Sequence, residues 1–167
     1  MEPEIWQGLR ETYRPQQIKT LFVAESPSTG QRFFYLGNSQ LFRFTYQAFV
    51  RVFGNKVGQT PQEFFLWFQK QGFFLDNLSC ESIGYLKESE RQQARIRWIP
   101  SLADRLAQYR PGSIIVVMKS LEHHVTQAIL YAGIAPYVLV LPFPTRTYHN
   151  QQVYVDGLSQ FLATRKV

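Results

Sequence analysis

Four short stretches of this chain carry side chains that could do chemistry, and each follows an apolar run. They are Glu25-Ser26-Pro27-Ser28-Thr29-Gly30, Asp76-Asn77-Leu78-Ser79, Lys119-Ser120, and Pro142 to Asn150, which reads "PFPTRTYHN". Between them they supply a carboxylate and an imidazole that can act as an acid–base pair, Glu25 and His149. They also supply an amide that both donates and accepts, Asn77, and the cations Lys119 and Arg146. One polar strand end means little, since every strand must stop. Four on one rim define a pocket.

Several chemistries are disfavoured by what is missing. No Gly-rich fingerprint follows the first apolar run, and no Lys-Ser/Thr follows a glycine loop, which argues against nucleoside triphosphates and dinucleotides. Ser26 does not lie in Gly-x-Ser-x-Gly, so it is not an elbow nucleophile. His123 and His124 are adjacent on a helix and point to different faces, a poor geometry for one metal. One of them is expected at the surface and the other in the core. The single cysteine, Cys80, excludes an internal disulfide and an all-cysteine metal site. No metal and no cofactor is expected.

The elements that must position these groups alternate along the chain. Glu4 to Tyr13 reads as an opening helix, and Lys19 to Ala24, "KTLFVA", as a strand covered on both faces. A helix is expected from about Gln40 to Phe53. Thr60-Pro61-Gln62-Glu63 is a helix start, with Thr as cap, Pro in the first turn and Glu in the third position. That helix ends near Gly72. Phe73 to Asn77 is the second strand. A long helix spans Lys87 to Tyr109, with a break allowed at Pro100. Ser113 to Met118 is the third strand, Leu121 to Ala132 a helix, and Tyr137 to Leu141 the fourth strand. A last helix covers Tyr154 to Thr164. Strands separated by helices imply an α/β fold with a mainly parallel four-stranded sheet and helices on both faces. In such sheets ligands bind outside the carboxyl ends of the strands.

The chain has 167 residues, one domain's worth, with 45% hydrophobic residues. Mean hydropathy is −0.22, and no apolar run approaches the ~20 residues of a spanning helix. The start lacks the features of a signal peptide, so a cytoplasmic protein without membrane contact is expected. The formal charge of +6 favours polyanionic partners. From Ser26 to Gln62 the basic residues Arg32, Arg43, Arg51 and Lys56 occur with no acid, among many aromatics. That mixture suits phosphate contacts with base stacking. For the helix within it, an aromatic buried face and a solvated basic face is the preferred reading.

Three of these segments resemble motifs of the uracil-DNA glycosylase superfamily. "LFVAESPSTGQRFFY" (Leu21 to Tyr35) is similar to the family's first motif, with Ala24-Glu25-Ser26-Pro27-Ser28 in the place of Gly-Glu-Ala-Pro-Gly. "FFLDNLSCES" (Phe73 to Ser82) resembles the second-strand segment that ends in a uracil-reading asparagine, which Asn77 matches. "LPFPTRTYHN" resembles the last motif, whose loop enters the DNA minor groove. Leu141 stands at the place of the family's histidine, and Phe143 replaces the motif serine. The "ESP…FFY" and "LPFP" variants look most like a compact glycosylase-like branch without an iron–sulfur cluster.

The resemblance implies a three-layer α/β/α sandwich over the whole chain, 1–167, and a monomer acting on DNA. It implies base excision after the nucleotide is flipped out of the helix. Asn77 then reads the base, Phe33 or Phe34 stacks on it, and Ser26 lines the same pocket. Glu25 orients or activates water, and His149, Arg146 or Lys119 supplies the charge that the missing histidine would have supplied. Arg32, Arg43, Lys119, Thr145, Arg146 and Asn150 face DNA. Two alternatives stand beside this: a nucleic-acid or nucleobase binder that kept the fold and lost the chemistry, and a small-molecule enzyme using Glu25 and His149. For single residues there are plainer roles too. Glu25 can pair with Arg43, and Tyr148 to Asn150 can cap the last helix.

Overall fold

The continuous apolar runs become the centre of a sheet. In the computed structural model, which describes residues 3–145 and 147–165, β1 (Thr20–Ala24), β2 (Phe73–Asn77) and β3 (Ser113–Val116) are buried at every position. The fourth strand, β4 (Tyr137–Val140), differs: Tyr137 and Val138 are exposed and the next two residues half-buried. It lies at the edge of the sheet, whose order is β2-β1-β3-β4, with every pairing parallel. The strand order reverses beside β1, since β2 lies on one side of it and β3 on the other. The crevice at the carboxyl ends of β1 and β3 is therefore the topological switch point, where open α/β sheets bind ligands.

Six α-helices are described: α1 (Pro3–Thr12), α2 (Gln40–Phe53), α3 (Pro61–Lys70), α4 (Glu88–Tyr109), α5 (Glu122–Ala132) and α6 (Tyr148–Thr164). They lie on both faces, as the alternation of strand side chains shows. Phe73 packs on Phe49 of α2 and Phe68 of α3. Its neighbour Phe74, pointing the other way, meets Tyr109 of α4. Helix α6 packs on α2, and α5 on α4. The result is an α/β sandwich around a parallel sheet, without a membrane-spanning helix among the described residues.

The basic aromatic segment resolves as its amphipathic pattern predicts. Phe42, Phe44 and Phe49 of α2 are buried, whereas Arg43 and Arg51 are exposed. Phe22, Phe49, Phe64, Phe68 and Phe74 are fully buried, and each contributes roughly 1.5–3 kcal/mol by leaving water. Helix α3 begins with the expected capping box, in which Thr60 accepts from the Glu63 amide and Glu63 reaches back. Gly72 follows its end with φ of 82°, a conformation that costs glycine little.

Three boundaries differ from expectation. Helix α4 runs unbroken through Pro100. Pro100 is exposed, as is Ile96, whose carbonyl loses its donor, so water can take the place of the missing bond. Helix α6 starts at Tyr148 rather than near Tyr154, because Thr147 caps it by accepting from the Asn150 amide. The residues expected as a polar loop are its first turn. Strand β3 ends at Val116, short of Met118, although the Leu141 amide still donates to the Val116 carbonyl at 2.8 Å.

Candidate active site

The ladder between β1 and β2 continues past the strands and holds their polar ends together. Leu78 N donates to Ala24 O at 2.8 Å and Ser79 N to Glu25 O at 2.9 Å. Ser26 Oγ accepts from the Ile83 amide, and Ser82 Oγ donates to Pro27 O. The two loops thus form one rim around a cavity of about 480 Å³. Its walls include Glu25, Ser26, Arg32, Phe33, Phe34, Asn77 and Thr145, all expected at the site, with Leu75, Arg91, Met118 and Phe143. A second cavity of about 250 Å³ adjoins it across Phe33 and Asn77, and Trp6, Arg10 and Cys80 line that side.

Asn77 is the polar group at the junction. It is 5% exposed, and its side-chain amide has no hydrogen-bond partner among the described residues. Its amide atoms are not among the fully buried polar atoms that lack a partner, so they keep contact with solvent in the cavity and are available to a ligand. The backbone beneath it is tightly held. Arg105 Nη1 donates to Asn77 O at 2.7 Å and Nη2 to Leu78 O at 2.8 Å. Asp76, fully buried, accepts from Arg10 at 2.5 Å, from Arg105 at 2.8 Å and from the backbone N–H of Asn77 at 2.7 Å. Burial first, and then the Asp76 carboxylate, pushes the Tyr109 phenol beside it up to about 12.

Phe33 and Phe34 share the cavity but differ in freedom. Phe34 is packed by Tyr35, Phe42, Phe65 and Phe68, so its ring is a fixed wall of the core. Phe33 stands against Trp6, ring centroids 4.3 Å apart, and divides the two cavities. The turn carrying both is fastened to the outer edge of β2. Tyr35 Oη donates to Leu75 O and accepts from Leu75 N at 2.7 Å. Gly37, with φ of 71°, ends the turn hard against Pro61, where a built Cβ would come within 2.4 Å of Pro61 Cβ.

Glu25 is not the free carboxylate expected of a water activator. Arg91 Nε donates to its two oxygens at 2.8 and 2.9 Å, and Arg91 Nη2 to Oε1. Arg95 Nε donates to Oε2 at 2.6 Å, and Arg95 Nη2 pairs with the same oxygen. Both carboxylate oxygens are therefore filled by N–H donors, and neither donor is Arg43. Arg91 also lines the cavity, its side chain is 24% exposed, and its Nη1 has no hydrogen-bond partner among the described residues. Behind it, Arg95 is 2% exposed and its Nη1 is buried without a hydrogen bond. His124, also buried, has its pKa lowered by burial and then by the Arg95 charge, while His123 is exposed as expected.

Among the described residues, the other expected ones do not meet at this cavity. His149 is exposed on the first turn of α6 and lines neither cavity, because the helix begins before it. Asn150 is half-buried there, its amide used in the Thr147 cap. Lys119 is exposed in a 3-10 turn after β3 and off both walls. Arg43 is exposed over the Phe44 ring, in a shallow hollow that shares Arg32 with the cavity rim. Arg146 lies outside the described residues. Leu141 is buried, with Cδ2 pressed toward the Gly157 backbone of α6, so the residue that ends the fourth apolar run makes an apolar contact and offers no polar group to the cavity.

The arginines were missed for an identifiable reason. Arg95 falls on the apolar stripe of α4 with Ile99, Leu102 and Leu106, at helical spacing. An arginine in that register must find a buried anion, and Arg91 one turn earlier shares its face. Which anion they meet, far off in sequence, was not visible. No protein-family model matches the chain, and no curated protein is similar enough to it to count as a relative.

Proposed function

We propose that the cavity is a nucleobase pocket and that the protein is a uracil-DNA glycosylase-like enzyme acting on a base flipped out of DNA. The observation that carries this reading is Asn77, a residue 5% exposed whose side-chain amide has no hydrogen-bond partner among the described residues and opens at the junction of two cavities. An amide matches a lactam edge, in which a carbonyl accepts beside an N–H that donates. The Phe33 and Phe34 rings on the same wall suit the faces of a base. The parallel sheet, its switch point and the three sequence motifs agree with the three-layer superfamily fold. In this reading Asn77 reads the base and Thr145 and Arg32 sit at the entrance. Glu25 acts by holding arginines rather than by activating water.

A second reading has its own support. With both Glu25 oxygens occupied and Leu141 buried, the site has no evident water activator among the described residues, as in a protein that binds a base without excising it. Incubation with oligonucleotides containing uracil, hypoxanthine or xanthine separates the two. Abasic product from one of them is the expected result, and Asn77→Ala should lower binding of that oligonucleotide roughly 10- to 100-fold, the worth of one or two hydrogen bonds. Binding without product moves the assignment to the second reading. Absence of binding at low salt rejects both.

A further inference from the structure

We infer that Arg91 is the group that takes up negative charge in this cavity, and that Glu25 is the residue that holds it there. The inference rests on the nucleobase reading above and adds to it the source of charge. One edge of the Arg91 guanidinium is fixed on Glu25 through Nε and Nη2, and Nη1 has no hydrogen-bond partner among the described residues. Glu25 cannot turn away with Arg91, because Arg95, 2% exposed, grips its other oxygen from the protein side. Two guanidiniums share one carboxylate, so the cluster keeps a net positive charge. The nearest additional acid, Glu88, is 4.0 Å from Arg95 Nη1 and largely in water, where its charge is screened. Arg91 lines the cavity with Asn77, whereas Lys119 and His149 do not.

The chemistry that needs such a group is heterolysis of the glycosidic bond. The bond from base nitrogen to C1′ breaks with its electron pair going to the base, leaving a lactam anion. The oxygen of water bonds to C1′, and the proton that water gives up neutralises the departed base. A fixed N–H donor on the anion's oxygen lowers the barrier most when the base is a poor leaving group.

The test is therefore leaving-group dependence under single turnover, with uracil and with the more acidic 5-fluorouracil in the same oligonucleotide. Arg91→Gln should slow uracil excision on the order of 10²–10³-fold, and 5-fluorouracil excision roughly tenfold less than that. Arg91→Lys should recover part of the loss, and Glu25→Gln should give the same pattern at smaller amplitude. Equal losses on both bases, or no loss, overturn the inference. If the wild type excises neither base, equilibrium binding of the two free bases replaces the rate. A wild-type preference for 5-fluorouracil that grows with pH, and is abolished in Arg91→Gln, supports the inference. Wild-type binding with an unchanged ratio in the variant overturns it while leaving the nucleobase reading intact. No binding of either base by the wild type removes that reading and the inference with it. Arg95 still pairs with Glu25 in Arg91→Gln, and thermal unfolding of each variant checks that the fold survives.

Discussion

The side chains of Asp76 and Asn77, successive residues of β2, leave the sheet on opposite faces with opposite fates. Asp76 is fully buried and takes donors from Arg10 and Arg105, which join it to α1 and α4. Asn77 turns to the cavity, and its side-chain amide has no hydrogen-bond partner among the described residues. The first residue anchors the strand end so that the second can be presented in a defined orientation.

Asp76→Ala removes the anchor and leaves two largely buried guanidiniums without their carboxylate. Removing one partner of a buried pair costs about 3–5 kcal/mol. Both arginines retain some exposure, which places the expected loss near the lower end, about 3 kcal/mol, in urea unfolding at neutral pH. A variant within about 0.5 kcal/mol of wild type would show that the clamp does not hold the strand.

Tyr35→Phe tests the staple between the aromatic turn and β2. The hydroxyl serves both the amide and the carbonyl of Leu75, and all these groups are buried. Deleting it leaves backbone polar groups unsatisfied, at about 1–3 kcal/mol. Loss of stability with retained secondary structure by circular dichroism is the expected outcome; an unchanged urea midpoint contradicts it.

His124 sets a pH dependence whose sign follows from its lowered pKa. The unfolded chain takes up its proton near about 6.5, while the folded protein resists until lower pH. Its contribution to stability is fully present above about pH 6.5 and is lost as pH falls toward the folded value. Urea unfolding at pH 7.5 and 5.5 should show a decline in the wild type that is smaller in His124→Gln. Parallel declines in the two proteins exclude His124 as the cause.

Arg32 and Arg43 test the nucleic-acid face. Both are exposed and share one hollow beside the cavity mouth. If each neutralises one phosphate, Arg32→Gln with Arg43→Gln should lower the slope of log K against log salt by roughly 0.9 per residue on duplex DNA, or about 0.7 on a single strand. An unchanged slope places the polynucleotide elsewhere.

Local patterns were legible wherever a neighbour in sequence supplies the physics. The run Lys19 to Ala24 announced a covered strand, Thr60 to Glu63 a capped helix start, and Gly72 its end. Thr147 hid the start of α6, because Tyr148-His149-Asn150 carries no apolar period and the first turn of that helix is mostly polar. The exposed face of β4 was equally hidden: an apolar run reads the same at the centre of a sheet and at its edge.

By itself the chain determined an alternation of buried strands and amphipathic helices, and therefore a parallel sheet with polar groups gathered at the carboxyl ends of its strands. Which of those groups face one another was decided only by tertiary structure. Glu25 lies 66 positions from Arg91 and 70 from Arg95. A carboxylate buried beside a cavity has to be paired, and its partner is whichever cation the helix packing brings within reach. That packing took Glu25 out of the set of free bases, left His149 on the surface, and put a guanidinium at the wall of the cavity.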